Sequence, residues 1–155
     1  VLRQFWEEVE WGDVDYLLID MPPGTGDVAL TVFQQIPLDG IVIVTSPQDL
    51  VQMVVTKAVN MAQQMKVPVY GLIENMSYLV CPDCGRRIEP FGPSQLTKAA
   101  HQAGVEALGE LPIDPALAAS CDAGTIEDAA PKGLLSAAVD CIIETCAASD
   151  ATKSS

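Results

Sequence analysis

Four short apolar runs, rich in β-branched residues or leucine and bounded by turn signals, constrain this chain most: YLLI at 16–19, IVIVT at 41–45, VYGLI at 69–73 and, more weakly, ALGEL at 107–111. Runs of that length and composition predict strands buried on both faces. Between them the apolar spacing changes to three or four residues. Leu50, Val54, Ala58, Met61 and Met65 predict one helix. Ser94 caps a second that stops at Gly104, and residues 134–146 predict a last one with Leu135, Val139, Ile142 and Cys146 on its sheet-facing side. Strand and helix in alternation predict an α/β fold, a parallel sheet with helices on both faces, whose ligands sit beyond the carboxyl ends of the strands. A chain of 155 residues is the size of one domain. The closing SDATKSS reads as a disordered tail over 149–155.

Twenty-one acidic residues against eight basic ones give a formal charge of -13, which repels nucleic acid and anionic membranes alike. No apolar run reaches the roughly 18 residues that span a bilayer, and the opening VLRQFWEEVEWGD lacks the basic-then-apolar order of a signal peptide. The expected location is the cytoplasm. There, five cysteines point to metal, redox or core roles rather than to disulfides.

The first apolar run ends on a carboxylate and breaks into turn residues: LLIDMPPGTGD, residues 17–27. An aspartate at the tip of a buried strand suits a hard cation, which prefers oxygen ligands, and a glycine-rich loop after it offers bare backbone amides to a phosphate. The same residues fit a strand that ends at a proline-rich turn, with Asp20 capping the next element. A second motif, CPDCG at 81–85, places two thiols three positions apart around a tight turn, half of a tetrahedral metal set. The set is completed either within the chain, with Cys121 and His101 making a zinc knuckle, or by a second chain.

Taken together, DMPPGTGD, TSPQ (45–48), GLIENM (71–76), the cysteine pair and LPID (111–114) resemble the Mrp/ApbC family of iron-sulfur carrier ATPases, relatives of MinD within the P-loop NTPases. By that resemblance Asp20 is the magnesium aspartate, Gly24 senses the terminal phosphate, and Asp27 orients water or acts across a subunit boundary. Asn75 recognises adenine, its amide carrying both donor and acceptor; the bland reading is a turn asparagine satisfying backbone groups. Pro112 packs on the base in a loop that includes Asp114. Cys81 and Cys84 from each of two subunits bridge one [4Fe-4S] cluster in a symmetric dimer, and the cluster passes to apo iron-sulfur proteins. The implied cofactors are ATP and Mg2+.

The sequence departs from the family in two places. It contains no GxxxxGK or GKGGVGK string, the loop that cradles phosphates on the family's first strand. The resemblance therefore implies a partial P-loop NTPase domain that misses its first strand. Residues 1–148 would be the C-terminal part of that domain, with the cysteine loop at 77–93. ATP hydrolysis then belongs to the parent protein and not to this chain alone. The second departure is FGPSQL, with Pro93 and Ser94 where the family carries glycines. Two rival functions are a MinD- or ParA-like positioning ATPase, which calls for a basic or amphipathic surface element that this acidic chain lacks, and a non-catalytic zinc-binding module.

Overall fold

The computed structural model describes residues 2–22, 26–48, 51–129, 131 and 133–153. Their elements run α1 (Leu2–Glu8), α2 (Asp27–Gln35), β1 (Ile41–Thr45), α3 (Val51–Gln64), β2 (Val69–Val80), β3 (Arg87–Ile88), α4 (Leu96–Ala103), β4 (Ala107–Pro112), α5 (Pro115–Asp122), α6 (Ile126–Ala129) and α7 (Ser136–Lys153). Three strands are parallel, with β2 in the centre between β1 and β4. The two-residue β3 pairs antiparallel with the far end of β2.

Alternation along the strands sends side chains to two cores, one on each face of the sheet. Leu72 of β2 packs with Val55 and Val59 of α3 and with Leu96, Ala99 and Ala100 of α4, and Ile43 of β1 joins them. The next residue, Ile73, faces the other way and meets Leu108 of β4 and Ala138 of α7, with Val42 and Cys141 beside them. Helices on both faces of a parallel sheet are therefore present as the apolar pattern predicts. Leu72 has no exposed surface, so its side chain alone contributes about 2 kcal/mol of burial.

Three expectations need correcting. Residues 16–19 form no strand, and Leu18 is 84% exposed. An apolar run becomes a strand only when its N–H and C=O groups find a ladder partner, and this run pairs with none among the described residues. The outer edge of β1 has no strand beside it among the described residues either, and its Val44 is 61% exposed. Second, both helical stripes are displaced in part, although Ile142 and Cys146 are half-buried as expected and Cys146 meets the Tyr70 hydroxyl of β2. In α3 the buried positions are Val55, Val59 and Ala62, while Val54 is exposed; in α7 Ala138 is buried, whereas Leu135 and Val139 are exposed. Both segments carry apolar residues at adjacent positions, so spacing alone does not choose the face. Third, α7 continues to Lys153, through most of the expected tail.

Strand β2 is 12 residues long because it does two jobs in sequence. Its first half lies in the parallel sheet, with Thr45 beside Glu74 and Glu74 beside Glu110. Its register against β4 then slips, for Tyr78 is the next partner and it pairs with Pro112. Four residues on β2 thus span two on β4. The surplus includes Asn75 and Met76, the latter at φ 58°. Such a bulge re-aims side chains and bends the strand, and beyond it β2 leaves the sheet to form the hairpin with β3.

Candidate functional site

The parallel register brings three of the sequence-predicted site residues, Asn75, Pro112 and Asp114, to one edge. Thr45, Glu74 and Glu110 lie side by side, so the TSPQ segment, Asn75 and the LPID segment all follow at the carboxyl ends of adjacent strands. This is where an open α/β sheet binds its ligands. Pro47 is fully buried beneath that edge.

The individual side chains differ in how free they are. Asn75 is half-buried, and its Oδ1 accepts from the Met76 backbone N–H at 2.9 Å. Its carbonyl thus holds the bulge while its amide nitrogen makes no hydrogen bond among the described residues. Pro112 is half-buried at the end of β4, followed by a bond from the Ile113 N–H to the Tyr78 carbonyl. Asp114 is engaged: its Oδ1 accepts from Ala116 N at 2.9 Å and Leu117 N at 3.3 Å, capping α5, with Pro115 at the first helical position. Cap and proline together are a standard helix start, legible in the Asp-Pro pair, where the family resemblance implied only a base-lining loop. Asp20 is exposed and makes no hydrogen bond or ion pair among the described residues. Asp27 opens α2 and is exposed, its backbone carbonyl accepting from the Thr31 hydroxyl. Gly24 lies outside the described residues.

The cysteine pair sits on the turn between β2 and β3. The Cys81 N–H bonds to the Arg86 carbonyl at 2.9 Å and the Gly85 N–H to the Cys81 carbonyl at 2.9 Å, closing a tight loop around both thiols. Gly85 takes φ 69°, the left-handed conformation that glycine adopts without steric cost. Cys81 is half-buried and Cys84 exposed. Backbone N–H groups of Cys84 and Asp83, with the Cys84 thiol, hydrogen-bond to the Cys81 sulfur and hold its pKa below the ordinary thiol value. Such bonds favour the thiolate, the form that ligates metal. No third His, Cys, Asp or Glu joins the pair among the described residues. Cys121 on α5 and His101 on α4 are both exposed and do not complete a knuckle with it.

Sequence reasoning missed a buried carboxylate at the root of this hairpin. Glu74 is 0% exposed. Its Oε1 accepts from the Ser77 hydroxyl at 2.6 Å and its Oε2 from the Gln95 backbone N–H at 3.0 Å. Ser77 Oγ lies 3.2 Å from Glu110 Oε2, to which the Arg87 guanidinium also donates. Burial raises the Glu110 pKa, but hydrogen bonds from Arg87, Ser94 and Ser77 and the charge of Arg87 outweigh it and hold the carboxyl below its ordinary range. A glutamate interrupting the apolar run GLIENM was the available signal, since a buried charge demands partners.

A family model described as ParA, NUBPL iron-transfer P-loop NTPase, matches residues 1–147. The chain belongs to this family. Among curated relatives, the iron-sulfur cluster carrier protein of Pyrococcus horikoshii is 49% identical over 113 residues, which are 73% of this chain and 38% of that protein. The protein of the same name from Clostridium perfringens is 44% identical over 128 residues, 83% of this chain and 45% of that protein. The chain thus spans less than half the length of these relatives. A solved structure, the nucleotide-binding protein of Archaeoglobus fulgidus in complex with ADP and with Co found by PIXE, superposes with a TM-score of 0.77 at 43% identity, covering 86% of this chain and 56% of that one. The fold is accordingly that of a nucleotide-binding P-loop protein. Among the described residues no helix is long and apolar enough to cross a membrane.

Proposed function

We propose that this chain is the cargo-holding part of an ATP-dependent iron-sulfur cluster carrier. Cys81 and Cys84 hold a [4Fe-4S] cluster together with the same pair from a second copy, and the cluster passes to apoproteins. The observation that carries this reading is the turn itself: two thiols on one exposed loop, one of them biased toward thiolate, with no third ligand beside them among the described residues. Soft thiolates suit an iron-sulfur cluster, which takes about four of them. A twofold axis supplies equal pairs. Because the turn projects from the sheet, an incoming thiol reaches the ligands without any opening of the core.

On the same reading the carboxyl edge of the sheet faces the nucleotide. Asp20, an exposed carboxylate with no competing partner among the described residues, suits a magnesium ion held through water. Asn75 offers its free amide nitrogen to an adenine edge, and Pro112 packs against the ring. Gly24 meets the terminal phosphate and Asp27 orients the attacking water. The Asp114 carboxylate, engaged in capping α5, shapes the loop rather than touching the base. Hydrolysis of ATP is the work of the whole parent protein, homodimeric and located in the cytoplasm.

Anaerobic reconstitution with iron and sulfide tests the cargo. About four iron and four sulfide per two chains, lost in Cys81→Ala and in Cys84→Ala, is the expected result. Zinc retained at one per single chain, or a cluster that survives Cys81→Ala, would refute the reading.

A further inference from the structure

The hairpin that carries the cysteines is weakly held by its own backbone. Its ladder consists of two pairs, Leu79 with Ile88 and Val80 with Arg87, and residues 82–91 are all exposed. Among the described residues, one side chain bonds it to the body of the domain. Arg87, next to the turn, spreads its guanidinium 4.0 Å from the Tyr78 ring centroid. From there it donates to Glu110 of β4 through Nη2 and approaches Glu89 through Nε at 3.3 Å. Glu110 is itself fixed through Ser77 and Ser94, and Ser77 through Glu74 to the backbone entering α4.

We infer that Arg87 is a positioning residue: bonded to Glu110 and stacked on Tyr78, it braces the hairpin against β4 and sets the direction in which Cys81 and Cys84 are presented. The consequence for cargo rests on the carrier function proposed for the chain; the brace itself does not. An arginine suits this place because one planar fork can stack on an aromatic face and still donate to two carboxylates, which a lysine ammonium cannot do with the same geometry. The Glu110 side chain is part-buried in β4 while Arg87 is half-exposed, so the pair links the exposed hairpin to the sheet.

Amide hydrogen exchange on the whole chain, read residue by residue, tests the brace. In Arg87→Ala the Cys81 and Gly85 amides are expected to exchange about tenfold faster, while Leu72 in the central ladder is unchanged. Arg87→Lys should recover part of the protection, to within about threefold of the original. Glu110→Gln should reproduce the Arg87→Ala pattern without altering the hairpin sequence, and the double variant should be no worse than either single one. Unchanged hairpin exchange in Arg87→Ala, or equal acceleration at Leu72, overturns the inference. Cluster retention after reconstitution is measured in parallel. A shorter-lived cluster in Arg87→Ala alongside faster exchange supports the orienting role. Faster exchange with an unaltered cluster lifetime overturns that role, whereas a parent chain that binds no cluster, with the exchange pattern intact, refutes the carrier reading and leaves the brace standing.

Discussion

Replacing Gly71 by alanine should destabilise the protein through two close contacts, made at a positive φ of 159°. A Cβ at that position would lie 2.6 Å from the Glu106 carbonyl oxygen and 2.6 Å from Leu108 Cγ. The carbonyl cannot retreat freely, because it accepts the Leu72 N–H at 2.8 Å and so belongs to the seam between β2 and β4. Overpacking of this kind typically costs about 1–3 kcal/mol, and weakening the adjoining hydrogen bond adds about 1 kcal/mol. A total near 3 kcal/mol corresponds to a fall in melting temperature of roughly 10 °C for a domain of this size. Thermal unfolding followed by circular dichroism gives the measurement, and Gly109→Ala gives the control. Gly109 has a nearly identical φ, 152° against 159°, but nothing within 4 Å of its Cβ position. The difference between the two variants therefore isolates the contacts. If Gly71→Ala melts no lower than Gly109→Ala, the close approach of β2 to β4 is not what requires glycine, and the reasoning fails.

The titrating groups supply two further outcomes. Cys81, held toward thiolate by its turn, should react with iodoacetamide at a lower pH than an ordinary thiol; mass-spectrometric mapping of alkylation against pH checks this, and Cys84→Ala, which removes the thiol donor, should move the profile upward without restoring the ordinary value, since the backbone donors remain. The Glu110 pKa is depressed in the folded protein, so its contribution is complete above the unfolded-state value of about 4.3 and is lost as pH falls through the lower folded value. Urea unfolding midpoints should accordingly depend less steeply on pH below about 4 in Glu110→Gln than in the parent.

The sheet was largely readable because three apolar runs, IVIVT, VYGLI and ALGEL, were short, continuous and bounded by turns, and each became a strand. YLLI carries the same signal and became none; composition records a wish for burial, but a ladder needs a neighbour, and local sequence does not say whether one is at hand. Helix existence was legible from spacing and helix orientation was not, since Val54 and Val55 compete for one face. The cysteine turn could be read from five letters because proline, glycine and two thiols determine each other locally. Glu74, Ser77, Arg87 and Glu110 could not be assembled that way. Their contact depends on β2 lying beside β4 and on a slipped register, both products of tertiary pairing.

That slip also fixes the handedness of presentation. Side chains on a regular strand alternate between faces, but Met76 at φ 58° breaks the alternation, so that Glu74 and Ser77, three positions apart, meet on one side in a hydrogen bond. Losing or gaining one residue in this stretch would turn the next segment over, carrying Arg87 away from Glu110 and aiming both sulfurs at the opposite side of the molecule. Chains of this architecture should thus tolerate length changes in the tip beyond Cys84 far better than any between Asn75 and Ser77.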